Sequence, residues 1–159
     1  MNNAEHLAEL LESLKKTTGI ISTLAEKGGI DSAVVYFTVD KNLNLYFFTR
    51  ANSAKSKNIM QNSLISFVTY SEELMQTFQL RGDASAIEDP SEQAVAFEAL
   101  LKIANKQSNG NPPIAQMMQS EITVFKVIPL WARFSNFGVS NDSNKIEELK
   151  VAEFLGEQL

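Results

Sequence analysis

The sequence predicts an α+β domain in which a mainly antiparallel β-sheet closes into a barrel, with helices on its flanks. Three observations lead to this prediction. Short runs rich in β-branched and aromatic residues recur along the chain, tight turns join several of them, and helix-start signals occur at separate places. Because 159 residues suit the size of one domain, we expect a single domain over residues 1–159.

The composition excludes several kinds of site. The chain is 44% hydrophobic and 21% charged, as expected of a folded protein, and its net charge of −5 argues weakly against a nucleic-acid partner. It has no cysteine, and its one histidine, His6, cannot form a metal-binding cluster, so we expect no disulfide, thiolate nucleophile or metal site. No apolar run approaches the ~20 residues of a membrane span, so we expect no membrane partner and a cytoplasmic location.

The helices and strands are predicted in chain order. An N-terminal helix capped by Asn2 or Asn3 carries leucines at helical spacing and ends at Gly19. Strands are predicted at residues 20–25, 32–39, 45–49, 64–70, 76–87 and 122–131, with residues 132–137 as a candidate continuation. Gly82 marks a bulge or bend, and Pro129 marks an edge position or a strand end.

The remaining helices have clear start signals. One runs from the cap Ser53 to about Gln61, and another follows Asp89-Pro90 to about Lys106, with Glu92 able to complete a capping box. One or two helical turns are predicted around residues 115–119, and a short C-terminal helix at residues 147–155.

The loop between the third predicted strand and the short helix is the best candidate for a binding site. Arg50, Lys55 and Lys57 form the densest positive cluster of an acidic chain, with no carboxylate among them, and Ser53 lies at the helix start. Unpaired N–H groups and the positive end of the helix dipole favour phosphate at such a position. The alternative is a solvated loop with surface lysines, and the residues of the loop leave both interpretations open.

Several short motifs follow one another between residues 48 and 131. They are Phe48-Thr49, Ser53-Ala54-Lys55, Asn58-Ile59 with Asn62, Gln79 with Gly82 and Ala84, Asp89-Pro90, and Trp131. Their order and spacing resemble those of FMN-binding split barrels of the pyridoxamine 5'-phosphate oxidase-like superfamily. The resemblance implies a split barrel of six to seven strands, and it points to the general stress protein-like branch rather than to the true oxidases.

The resemblance also implies a homodimer with FMN at the subunit interface. The phosphate and ribityl chain would be held by Thr49, Arg50, Ser53 and Lys55. The isoalloxazine ring would lie along a second set of residues, with Trp131 reaching it from the second subunit: Ala33, Val34, Val35, Phe48, Gln79 and Trp131. For Val34, Val35 and Trp131, packing in the core or at an interface is the alternative.

Two departures bear on the activity that the resemblance implies. The true oxidases have a late arginine followed two residues on by histidine, whereas this chain has Arg133 and then Ser135, and Ala54 stands where they carry another arginine. We therefore do not expect pyridoxamine phosphate to be the substrate. The expected function is an FMN-dependent oxidoreductase acting on a small molecule. The alternatives are a non-catalytic flavin-binding or sensing protein, and a split barrel that holds haem or a deazaflavin.

Overall fold

The computed structural model of the chain describes residues 2–107, 121–138 and 146–149. Within these residues the helices are α1 (Asn3–Ser13), α2 (Ala54–Gln61) and α3 (Pro90–Gln107). The strands are β1 (Thr18–Leu24), β2 (Ile30–Val39), β3 (Leu45–Arg50), β4 (Leu64–Ser71), β5 (Gln76–Ala86), β6 (Ile122–Asn136) and β7 (Ile146–Leu149). Among the described helices, none is long and apolar enough to cross a lipid bilayer.

The strands form one antiparallel sheet that closes on itself. Their order is β3-β2-β1-β4-β5-β6-β7, and β6 also pairs with β3, from Leu45 opposite Val127 to Arg50 opposite Ile122. The second pairing joins the ends of the sheet into a six-stranded barrel, while β7 extends β6 beyond it. The α+β split barrel predicted from the sequence is confirmed.

Two apolar clusters hold the barrel and its helices together. Inside the barrel, Phe47 stacks on Phe125 with ring centroids 5.2 Å apart, and Leu7 and Leu11 of α1 belong to the same cluster. The second cluster lies under α3, where Leu100 packs with residues of β3 and β6. α3 contacts β2, β3 and β6, and α2 contacts β1, β3 and β5, yet apolar side chains such as Ile20, Val34 and Tyr70 stay exposed on the outer face of β1, β2 and β4.

Most element boundaries agree with the sequence-based expectations to within two residues, but Gly19 does not end the first helix. The helix has Asn2 as its cap and stops at Ser13, so Gly19 lies inside β1. A β-carbon at this position would collide with the ring of Phe67 on β4. Gly19 is therefore a residue of close strand packing and not a helix terminator.

Pro129 does not end β6, but it has a paired strand on one side only, as the predicted edge position requires. It stands opposite Gly82 on β5, next to the register shift between Arg81 and Gly82, so the bulge predicted at Gly82 is present. The other side of β6 pairs with β3 through Val127 and with β7 from Ala132 onward. Pro129 falls in the gap between these two pairings, where a missing N–H leaves no ladder bond unmade.

Two further expectations fail where tertiary contacts override local signals. Residues 146–149 form β7 rather than a C-terminal helix, because they pair with β6. Glu92 does not complete a capping box, because its carboxylate accepts a 3.2 Å hydrogen bond from Lys126 instead, although Asp89 caps α3 as predicted. The helical turns predicted around residues 115–119, and residues 150–155, lie outside the described residues.

Candidate functional site

Ser53 organises the loop between β3 and α2. Its side-chain oxygen accepts hydrogen bonds from the hydroxyl of Thr49 (3.1 Å) and from the backbone N–H of Ser56 (3.2 Å), as the N-cap of α2. The hydroxyl of Ser56 in turn donates to the carbonyl oxygen of Arg50. A serine hydroxyl accepts two bonds and donates one. Ser53 therefore retains its own O–H for an acceptor outside the loop.

Further donors surround this hydroxyl. Among the described residues, none accepts from the backbone N–H groups of Ala54 and Lys55, which open the first turn of α2. The Lys55 side chain is half-buried beside them, and Arg50 and Lys57 are exposed. No acidic residue occupies the first turn of the helix. The loop thus presents several hydrogen-bond donors and a net positive charge, which is the arrangement that an anionic group requires.

The helix behind the loop is fixed to the sheet by a buried amide. Asn58 is only 7% exposed, and its Nδ2 donates to the Thr23 hydroxyl (3.0 Å) and to the Asp31 carboxylate (2.8 Å). These bonds join α2 to β1 and β2. The position of the Ser53 loop therefore depends on the barrel as well as on its own hydrogen bonds.

Other candidate residues lie on the outer face of the sheet. Cross-strand partners share a face, and the pairings place Val34, Ile20, Val68, Gln79 and Arg133 in one row across five strands. Val34 and Gln79 are both exposed there. The predicted residues Val34 and Gln79, which are 45 positions apart in the numbering, are thus members of a single surface row.

The adjacent row carries the predicted residue Trp131 together with Arg81, which the sequence analysis did not single out. It runs from Ser32 through Ser22 and Ser66 to Arg81 and Trp131. The Arg81 guanidinium lies over the Trp131 ring, 4.7 Å from its centroid, and the Arg133 guanidinium is 5.1 Å from the same centroid. Arg81 is two residues from Gln79, so the period-two alternation of a strand was the signal that could have found it.

Three of the predicted residues, Val35, Phe48 and Thr49, are buried in this chain, and Thr49 is 8% exposed. Val35 is 5% exposed and belongs to the barrel core, and Ala33 is half-buried on the same side of β2. Phe48 is 7% exposed and packs under α3, 6.2 Å from the ring of Phe97. A ligand on the outer face could reach Val35 only through its backbone. The side chains that a ligand could reach are those of Arg50, Ser53 and Lys55 in the loop and of Val34, Gln79 and Trp131 on the outer face.

The family of the chain follows from a match over most of its length. The family model described as pyridoxamine 5'-phosphate oxidase matches residues 4–136. No curated protein sequence matches the chain significantly.

Solved structures share the fold at low sequence identity. A Clostridium acetobutylicum protein related to general stress protein 26 of B. subtilis is 14% identical, with a TM-score of 0.66 over 96% of this chain and 99% of that chain. A pyridoxamine 5'-phosphate oxidase-related, FMN-binding protein from Nostoc punctiforme is 17% identical, with a TM-score of 0.57 over 89% of each chain.

A haem-binding protein from Mycobacterium smegmatis has the same fold. It is 15% identical, with a TM-score of 0.66 over 89% of this chain and 57% of that chain. At these identities the structural likeness establishes the fold alone. The family match spans the barrel, the Ser53 loop and the Arg81–Trp131 cluster, and on this basis the chain belongs to the pyridoxamine 5'-phosphate oxidase family.

Proposed function

We propose that this chain binds FMN between two copies of itself and uses it to oxidise or reduce a small molecule. The observation that carries the proposal is the donor set at the start of α2. The Ser53 hydroxyl, the N–H groups of Ala54 and Lys55 and the Lys55 ammonium group fit a phosphate monoester, and they come with no competing carboxylate in the first turn.

Arg50 can bind the FMN phosphate in place of the arginine that this chain lacks at position 54. It is exposed at the end of β3, and its carbonyl oxygen is held by the hydroxyl of Ser56. Its backbone is therefore fixed while its side chain is free to turn toward the loop. A guanidinium binds phosphate oxygens through two parallel N–H groups, so one arginine can compensate for the other.

The uncovered face of the sheet supports a homodimer. Ile20, Val34 and Tyr70 are 36%, 68% and 49% exposed on this face, although apolar side chains of this size usually lie in a core or an interface. A second copy placed against the face would bury them. It would also bring the Ser53 loop of one subunit and the Gln79–Trp131 face of the other to a common site, as the proposal requires.

Bound FMN would supply the hydride and single-electron chemistry, and the protein would supply binding and orientation. The chain has no cysteine and one histidine, so its own side chains offer little nucleophilic or general-base chemistry. The one histidine, His6, lies on α1, away from both groups of candidate residues in the chain order. Haem needs an axial ligand such as histidine, cysteine, methionine or tyrosine, and none of these is among the predicted site residues, which makes flavin the better match to them.

The deciding experiment is a titration of the apoprotein with FMN, riboflavin and haemin, followed by flavin fluorescence or haem absorption. We expect FMN to bind at least about tenfold more tightly than riboflavin, because only FMN carries the phosphate that the loop would hold. Equal affinity for the two flavins, or preferential binding of haemin, would contradict the proposal. Bleaching of the bound flavin by NADH or NADPH would then distinguish an oxidoreductase from a non-catalytic flavin-binding protein.

Sedimentation tests the dimer. We expect a dimer for the wild-type chain and a monomer with weakened FMN binding for Val34→Asp, because a charge at the centre of the apolar face cannot be buried unpaired. A wild-type monomer with full FMN affinity would remove the interface from the proposal.

A further inference from the structure

We infer that the groove beside Arg81 and Trp131 binds the substrate, and that this substrate is a flat molecule with a carboxylate or phosphate group. The inference rests on the proposed function, since it places the substrate on the face that would meet the flavin. It is argued, however, from residues that the FMN phosphate does not need.

The charge on Arg81 points to an anionic ligand. Its side chain is exposed, and no carboxylate among the described residues forms an ion pair with it. The second guanidinium, of Arg133, lies near the same Trp131 ring. The negative face of the Trp131 ring attracts the Arg81 guanidinium but accepts no hydrogen bond from its N–H edge.

The N–H donors of Arg81 remain available for a ligand. A guanidinium that lies over an indole ring uses its flat face for that contact and keeps its N–H edge for hydrogen bonds. The edge of Arg81 can therefore bind a carboxylate or phosphate through two parallel bonds. Trp131 would fix the side chain of Arg81 in place, so that little conformational entropy is lost when the anion binds.

The shape and lining of the groove suit a ligand with an apolar body. It has a volume of about 460 Å³, and its walls are mainly apolar, with Leu24, Ile30, Leu64 and Leu130 among them. The first three of these side chains are 40–71% exposed, so a ligand that covers them would remove apolar surface from water. Ser22 and Ser66 add hydroxyl groups beside the apolar walls.

Together these features define a ligand class. The apolar walls and the Trp131 ring suit a flat, apolar or aromatic body, while Arg81 at one side suits a single anionic group. A neutral ligand of the same shape would leave the Arg81 edge without an acceptor in a partly desolvated groove. Charge, and not shape alone, should therefore decide which molecules bind.

The test uses the only tryptophan of the chain as its reporter. Quenching of Trp131 fluorescence is measured in the full-length protein, with and without FMN, during titration with trans-cinnamate, phenyl phosphate and the neutral trans-cinnamamide. Calorimetry checks the affinities. We expect at least one of the two anions to bind about tenfold or more tightly than cinnamamide, and the better anion identifies carboxylate or phosphate as the preferred group.

Two variants complete the experiment. Arg81→Gln should lower the affinity for the preferred anion to that of cinnamamide, while FMN affinity stays the same. Lys102→Gln removes one positive charge from the exposed face of α3 and should change neither. Equal binding of cinnamate, phenyl phosphate and cinnamamide by the wild-type protein would overturn the inference, whatever the variants do.

The outcomes separate this inference from the proposed function. If Arg81→Gln weakens the binding of FMN and not that of the anion, Arg81 belongs to the cofactor site and the inference is wrong. If the apoprotein binds the anion through Arg81 but does not bind FMN, the groove stands and the flavin proposal fails.

Discussion

The side-chain amide of Asn58 donates a 2.8 Å hydrogen bond to the carboxylate of Asp31, so the helix that follows the Ser53 loop is tied to the second strand of the barrel. The same amide nitrogen also donates to Thr23, which is 1% exposed. One buried side chain thus joins α2 to two strands. The geometry of the Ser53 loop is set partly from outside the loop.

Removal of this amide should affect both stability and binding. Asn58→Ala leaves Thr23 without its donor in a buried position, and we expect the free energy of unfolding to fall by about 1–3 kcal/mol in a urea titration. FMN affinity should fall as well, because α2 loses its anchor. Gln61→Ala, at an exposed position of the same helix, serves as the control and should leave both quantities nearly unchanged.

Gly82 should tolerate no side chain. A β-carbon at Gly82 would collide with Val127 and lie 2.7 Å from the carbonyl oxygen of Ile128, which is backbone and cannot move aside. We expect Gly82→Ala to lower the free energy of unfolding by about 1–3 kcal/mol. Gly29→Ala is the matched control, since its nearest neighbour is the β-carbon of Ala25 at 4.0 Å. A loss at Gly29 as large as that at Gly82 would contradict the packing argument.

The elements set by local chemistry were predictable from the sequence. Ser53 and Asp89 begin their helices because a short polar side chain can accept from the first turn, and this requirement is visible in a few consecutive residues. Short runs rich in apolar, β-branched and aromatic residues, with turn signals between several of them, likewise predicted strands β1 to β5. The bulge at Gly82 was predicted because a glycine inside a strand often marks a bulge or a close approach of backbone.

Features that depend on distant pairing were not predictable in the same way. The sequence around Pro129 signals a strand end, and only the gap between β3 and β7 makes the proline acceptable inside β6. Residues 146–149 are a strand because β6 offers them a partner. Arg81 meets Trp131 through the β5–β6 register, which the sequence of either strand alone does not specify.

The protein should lose stability in alkaline solution through Tyr46. Burial raises the pKa of this phenol above its ordinary value of 10.0, and the nearby charge of Asp40, which accepts a 3.1 Å bond from the hydroxyl, raises it further. A raised pKa means that the folded protein holds the phenolic proton more tightly than the unfolded chain. The stabilisation is therefore complete below pH 10 and is lost as the pH rises through the raised pKa.

Lys126 acts in the same direction. Burial lowers the pKa of its ammonium group, but the hydrogen bond to Glu92 and the charges of Tyr46 and Glu92 outweigh burial, and the pKa rises above its ordinary value of 10.5.

Melting temperatures measured in steps above pH 10 should fall less steeply for Tyr46→Phe than for the wild-type chain. A slope for Tyr46→Phe identical to that of the wild-type chain would contradict the assignment.

Lys55 should contribute to FMN binding through its charge on the phosphate. We expect Lys55→Ala to weaken the binding of FMN by ~1.5–3 kcal/mol, about 10- to 150-fold, in a fluorescence titration, while the affinity for riboflavin stays the same. Lys41→Ala removes an equal charge from the turn between β2 and β3 and should have no effect. If Lys55→Ala lowered the affinity for riboflavin as much as that for FMN, Lys55 would be acting on the helix or on the isoalloxazine ring and not on the phosphate.

Ser53 carries two roles that one substitution can separate. Aspartate is as good an N-cap as serine, so Ser53→Asp should keep the hydrogen bond to the Ser56 N–H and leave the free energy of unfolding within about 0.5 kcal/mol of wild type. The new carboxylate would repel a phosphate at the same place and cannot donate the O–H bond, so FMN binding should be lost. Ser53→Ala removes the cap, and we expect its free energy of unfolding to fall by about 1 kcal/mol. A Ser53→Asp protein that folds and still binds FMN like the wild type would show that no phosphate lies at the start of α2.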